Sequence, residues 1–181
     1  MRNKLVLEFW DRSKYLHLKN NKYRLFLKNL VKTQLKEDSA MADVTTNSII
    51  DRNRAITAKI VSNQDGIVAG IEEASLLAKN EKLMMAKKDG NSVKEGEVIL
   101  EITGNARDIL GYERTLLNIL QRMCGIATAT FNAKKLVKGR CSIAATRKTL
   151  LHLIDKKAVS IGKGLTHRLD LSDFILIKDN H

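Results

Sequence analysis

Two short apolar runs near the end of the chain constrain its fold most. Cys141-Ser-Ile-Ala-Ala145 is followed at once by Thr146-Arg147-Lys148-Thr149, and Phe174-Ile-Leu-Ile177 runs into Lys178-Asp179-Asn180-His181. Brief apolar runs bounded by polar residues read as buried strands. The helical pattern of Leu150 to Ile161 lies between them. Strand, helix, strand at this spacing predicts a βαβ unit with parallel strands. Ligands in such architectures sit at the carboxyl ends of the strands. Both predicted ends carry cations, and His167-Arg168 lies between them. Such a group repels itself if dry and is tolerable when wet or when occupied by anions. Arg presents a planar fork that fits a carboxylate in two parallel bonds, whereas Lys is a compact point charge.

Upstream the patterns are smaller. Tyr15 to Leu35 is loosely helical. Ile56, Ala58, Ile60, Ile67 and Ala69, around Asn63-Gln-Asp-Gly66, predict a strand hairpin over Arg54 to Ala69. Glu72 to Ala78 fits a short helix, and Val98, Leu100 and Ile102 fit another strand. A long helix is expected through Ile109 to Met123, then a second after Gly125, from Ala127 to Val137. The expected organisation is a basic helical segment over 1–36, an α/β sandwich domain over 37–105, linker helices over 106–138 and a first βαβ unit over 139–181. As a fold class this is an α+β N-terminal sandwich followed by the start of an open, TIM-like α/β barrel, cut short after its second strand.

Composition excludes several classes. No apolar run approaches the ~20 residues of a membrane span, and the first residues lack a signal-peptide pattern, so the expected location is cytoplasmic. Two cysteines, Cys124 and Cys141, without metal-ligand spacing, read as reduced thiols. The net charge is +12, of which eight come from Met1 to Lys36, where ten Lys/Arg face only Glu8 and Asp11. Such an arm can bind nucleic acid. It carries no RNA-binding signature, so a solvated helix outside any ligand site is the expectation and no nucleic-acid partner is expected.

The stretch Asn105-Ala-Arg-Asp-Ile-Leu-Gly-Tyr-Glu-Arg-Thr-Leu-Leu-Asn-Ile-Leu-Gln-Arg-Met-Cys-Gly-Ile-Ala-Thr128 resembles the linker-helix signature of the quinolinate phosphoribosyltransferase (carboxylating nicotinate-nucleotide pyrophosphorylase) family. Asp43-Val-Thr-Thr46, Gly66 to Gly70, Thr146-Arg-Lys-Thr149, Lys157-Ala-Val159, Gly162 to Gly164, His167-Arg168 and Ile177-Lys-Asp-Asn-His181 follow in the family's order. The resemblance implies transfer of phosphoribosyl from phosphoribosyl pyrophosphate to quinolinate, with loss of pyrophosphate and carbon dioxide, giving nicotinate mononucleotide for NAD biosynthesis. It implies a quinolinate pocket lined by Arg147, Lys148, His167, Arg168 and Lys178, with Lys148 and Lys178 as the catalytic pair. Arg114 would reach the site of a partner subunit in a homodimer or higher oligomer. Magnesium would enter with the sugar phosphate.

Departures from the pattern are Ala42, Cys124, Leu150-Leu151, Lys163 and Thr166. The family continues beyond Lys-Asp-Asn-His with further βα units, which hold the ribose, the 5′-phosphate and the metal. The chain alone is therefore expected to be inactive. An inactive relative serving as a binding or assembly partner is the alternative, as is a pyrophosphorylase-like relative, such as that associated with molybdenum transport, with another substrate.

Overall fold

The computed structural model describes residues 8–179. The helix α1 (Asn21–Glu37) starts where the Asn20 side chain accepts from Tyr23 N at 3.1 Å. Such a cap satisfies one of the donors that a helix start leaves open. A short helix α2 (Val44–Ile49) is capped the same way, by Asp43 on Thr46 N at 3.0 Å. Then come β1 (Ala55–Val61), β2 (Gly66–Ile67), α3 (Ile71–Leu77), β3 (Lys82–Met85), β4 (Ser92–Val93) and β5 (Val98–Asn105). The long α4 (Ala106–Leu136) and the short α5 (Leu153–Ile161) complete the regular elements. The result is a mixed α/β fold with two small sheets.

The expected hairpin does not form. β1 pairs antiparallel with β5, from Ala55 opposite Asn105 to Val61 opposite Val98, and β3 flanks β5 on its other edge. β2 pairs instead with β4. Local turn chemistry at Asn63–Gly66 suggested that β1 folds back on β2. But β2 has only two residues to offer and β5 has eight, so the distant strand satisfies far more of the β1 backbone.

The two expected linker helices are one. α4 runs unbroken through Gly111 and Gly125, 31 residues in all. A glycine inside a helix costs about 1 kcal/mol. Burial of Leu116, Ile119, Leu120, Met123 and Ala127 along the same helix outweighs that.

The βαβ expectation is met only in its middle. α5 begins at Leu153 rather than Leu150, because His152 adopts φ +41° and Leu150 is exposed. Cys141–Ala145 is not a strand. Ala144 alone makes a parallel bridge, and its partner is Leu165, with Ala145 N donating to Leu165 O and Leu165 N to Ile143 O, each at 2.8 Å. Phe174–Ile177 is likewise irregular, with Ile175 88% and Ile177 79% exposed. A strand exists only where a neighbour supplies hydrogen bonds, and no described strand pairs with Phe174–Ile177. His181 and Asn180, at the end of that expected strand, lie outside the described residues.

The basic arm is not a solvated appendage. Leu16, Tyr23, Leu27 and Val31 join the same core as Val68, Leu100, Ile119, Met123 and Ile154. Beneath α1, Tyr23 Oη donates to the fully buried Glu73, and Lys157 Nζ reaches Glu73 Oε1 at 2.7 Å and also Glu72. Glu72 in turn accepts from Leu18 N at 2.7 Å. Burial opposes the Lys157 charge, yet Glu73 and Glu72 outweigh it and hold the ammonium above its ordinary pKa. A Lys pKa raised by folding stabilises the protein below its unfolded pKa, ~10.4, and that contribution is lost as pH rises through the folded value.

Removing one partner from a buried ion pair strands the other, at a cost of about 3–5 kcal/mol. Lys157→Ala should lose stability in that range by urea denaturation. Lys157→Met combined with Glu73→Gln should recover much of the loss, and equal losses for the two would show that charge is not the cause.

Candidate active site

The Ala144–Leu165 bridge brings together the two loops that carry the predicted cations. The first is Thr146–Thr149. Arg147 and Lys148 are exposed on it, and Lys148 N donates to Thr146 Oγ1 at 3.1 Å. Thr149 ties its far end to the buried Asp155 carboxylate. Arg122 of α4 holds the same carboxylate in a two-pronged pair, Nε to Oδ1 and Nη2 to Oδ2, both 2.7 Å. That fork is the geometry in which Arg binds carboxylate best.

The second loop is the turn Leu165–Leu169. Lys156 of α5, fully buried, donates from Nζ to the Thr166 carbonyl at 2.8 Å. Arg12 N donates to Thr166 Oγ1 at 2.6 Å, and His167 N to Trp10 O at 2.8 Å. The N-terminal segment therefore clamps this turn from outside. The His167 ring lies 4.6 Å from the Trp10 ring and 5.2 Å from that of Phe174, centroid to centroid. Arg168 is only 6% exposed, its guanidinium 5.9 Å from the Phe174 ring centre, and its Nε has no hydrogen-bond partner among the described residues. A buried donor without a partner carries a desolvation cost that an incoming acceptor would relieve.

Electrostatics follow from this packing. Burial, then the Lys156 and Arg168 charges, press the His167 pKa below 6.5, so at pH 7 the ring is neutral. Burial, then Arg147 and Arg168, lower Lys156 to about 8, with Asp173 acting in the other direction. Asp173 accepts from Leu169 N and faces Arg12 Nε at 3.9 Å.

Of the predicted residues, Arg147, Lys148, His167 and Arg168 lie on the two bridged loops. Lys178 is exposed, four residues beyond Phe174, whose ring touches His167. Arg114 stands apart: it is exposed on α4 two turns before Arg122, about 12 Å along the axis. Its neighbour Glu113 is also exposed. A separate groove of about 540 Å³ between β1, β5 and α4, walled by Ile56, Ile60, Ile102, Leu116 and Leu120, contains none of the predicted site cations.

The described residues contain no cluster of three or more His, Cys, Asp or Glu side chains able to hold a metal ion. Asp155, Asp170 and Asp173, beside the loops, are already engaged by Arg122, Lys22 and Arg12, so these described residues do not build a magnesium site. Lys156 and Trp10 escaped sequence reasoning. A Lys between Leu153-Ile154 and Ala158-Val159 was the available sign of Lys156, since a charge inside an apolar helix must face something specific.

Residues 43–124 match the quinolinate phosphoribosyl transferase N-terminal domain, and residues 126–181 match the C-terminal domain of the same family. The chain is 41% identical over 160 residues to the probable carboxylating nicotinate-nucleotide pyrophosphorylase of Methanothermobacter thermautotrophicus, spanning 84% of this chain and 57% of that protein. It is 40% identical over 162 residues to the chloroplastic enzyme of Arabidopsis thaliana, spanning 86% of this chain and 46% of that one. The nicotinate-nucleotide pyrophosphorylase structure from Francisella tularensis superposes with a TM-score of 0.79 at 34% identity, over 86% of this chain and 58% of that chain. The chain thus spans about half the length of these curated relatives.

The packing around His167 predicts a titration. Its imidazole should show a midpoint below 6.5 by NMR, and Trp10→Ala, by exposing the ring, should move the midpoint upward. An unchanged midpoint would mean that Trp10 does not shield it.

Proposed function

The chain belongs to the quinolinate phosphoribosyltransferase family, and from that membership we propose that its two bridged loops form the quinolinate-binding part of a carboxylating phosphoribosyltransferase. The observation that carries this reading is the buried Arg168 with an unpartnered Nε, on a turn that the Ala144–Leu165 bridge joins to the loop of Arg147 and Lys148. Quinolinate is a flat dianion with adjacent carboxylates, and such a dianion is what converging Arg forks and Lys point charges suit. Arg147 and Arg168 hold the carboxylates. His167, neutral at pH 7, can donate to or accept from an oxygen without adding charge. Lys148 and Lys178 face the sugar phosphate and the ring.

The chemistry is largely positioning. Cations fixed on the carboxylates align the ring nitrogen with C1 of the sugar as pyrophosphate departs. Decarboxylation then leaves electrons at the ring carbon, and a positive pocket stabilises that charge as it develops. No covalent enzyme intermediate is needed. The Ala144–Leu165 pairing is read as the opening of a parallel barrel, and exposed Arg114 as a residue lent to a neighbouring subunit's site in a dimer. Sedimentation equilibrium should accordingly find more than monomer at micromolar concentration.

Quinolinate binding to the chain, followed by titration calorimetry, tests the site. Arg168→Lys, which keeps the charge but loses the fork, should weaken binding by about tenfold or more, since a charged hydrogen bond contributes about 1.5–3 kcal/mol. Lys163→Ala should change it little, because Lys163 is exposed and exposed charges contribute about 0–1 kcal/mol. Equal losses would remove Arg168 from the site. The 5′-phosphate anchor that the family resemblance places after Lys-Asp-Asn-His is not among these 181 residues. Binding without formation of nicotinate mononucleotide is therefore expected, and turnover by this chain would overturn that part of the reading.

A further inference from the structure

Among the described residues, Lys156 is a fully buried lysine whose ammonium has no carboxylate in salt-bridge contact, and burial with the Arg147 and Arg168 charges outweighs the pull of Asp173 on it. Its neighbours on α5 do otherwise. Asp155 is gripped by Arg122, and Lys157 by Glu72 and Glu73. Lys156 Nζ has one hydrogen bond, to the Thr166 carbonyl, which leaves two of its three donors without a described partner. The charged groups acting on it are Arg147 from the first loop, Asp173 from the segment beyond the turn, and Arg168 from the turn. Lys156 in turn acts on His167. Only Asp173 is negative, and it also faces Arg12. A charge held dry among like charges is costly unless an anion joins it.

We propose that Lys156 is a positioning residue of the dianion pocket: its ammonium, bonded to the Thr166 carbonyl, sets the His167–Arg168 turn, and a bound dicarboxylate balances its charge. This rests on the quinolinate reading given above. The bond lands on the carbonyl immediately before His167, which adopts φ +54°, a conformation that a side-chain-bearing residue keeps only under constraint. The constraint comes from three sides: Lys156 from the core, Arg12 N on Thr166 Oγ1, and Trp10 O on His167 N. Of these, only Lys156 brings a charge.

The charge makes binding depend on pH. Quinolinate is a dianion throughout pH 7 to 9, and His167 is neutral throughout, being pressed below 6.5. Lys156, lowered to about 8, goes from mostly charged at pH 7 to mostly neutral at pH 9. If the charged form is the competent one, the apparent affinity falls with its population, about tenfold across that range.

The experiment measures quinolinate affinity by calorimetry at pH 7 and pH 9 on the full chain. Wild type should weaken about tenfold between them. Lys156→Met should bind weakly and equally at both, and Lys156→Arg, charged at both, should bind with no slope. A wild-type slope retained in either variant overturns the proposal. A second reading separates this from failure of the quinolinate site. Trp10 is the only tryptophan and lies against His167, so its emission reports the turn. If wild type binds no quinolinate, the site reading fails by itself. Lys156 then stands if Trp10 emission changes between pH 7 and 9 in wild type and not in Lys156→Arg, and it falls if the two traces agree.

Discussion

Three consecutive charges on α5 lie inside the protein, and each must find its partner on a different element. Asp155 takes Arg122 of α4 and Thr149 of the cationic loop. Lys156 takes the Thr166 carbonyl. Lys157 takes Glu72 and Glu73 of α3, and through Glu73 meets Tyr23 of α1. One turn of helix points successive residues about 100° apart, so three neighbours in sequence can brace three directions. Because a buried charge without a partner costs several kcal/mol, each bond is close to obligatory. α5 thereby locks the first loop to α4, the turn to the core, and the basic arm to the small α/β unit.

The glycines at the end of α5 show how closely it is seated. A Cβ on Gly162 would fall 2.4 Å from the Ala127 carbonyl of α4, and one on Gly164 would fall 2.6 Å from the Val159 side chain. Those two positions exclude any side chain. Lys163 between them is exposed, which is why a side chain is admitted there, although its φ of +70° is one that glycine adopts more readily. The departure at Lys163 thus falls on the one position of the triplet where space does not forbid it.

The residue pattern revealed what is local. The short α3 and the cationic loops after Ala145 and around His167 rest on a few neighbouring residues, and these are legible in sequence. What depends on partners distant in the chain was not. Nothing near β1 announces β5 as its partner, and nothing in Phe174–Ile177 tells that no described strand lies alongside. The arm misled for a related reason. Its charge is what a count registers, but Tyr23, Leu27 and Val31 recur every four residues and supply a buried stripe. On α1 the exposed Lys22, Arg24, Lys28, Lys32 and Lys36 coexist with that stripe because they occupy other faces of the helix.

The arm also changes what the turn can be. His167 and Arg168 sit against Trp10 and Phe174, so one wall of the candidate pocket is aromatic. An Arg over an aromatic face gains from the ring's negative centre without needing a carboxylate. That contact lets Arg168 remain buried while its Nε stays unpartnered. The first loop has no such wall: Arg147 and Lys148 lie in solvent, where water screens them. The two halves therefore differ in kind. Arg168 on the turn is buried, and Arg147 and Lys148 on the loop are solvated. Around the turn Asp173 alone among the charges acting on Lys156 is negative, and it is shared with Arg12 and Leu169 N.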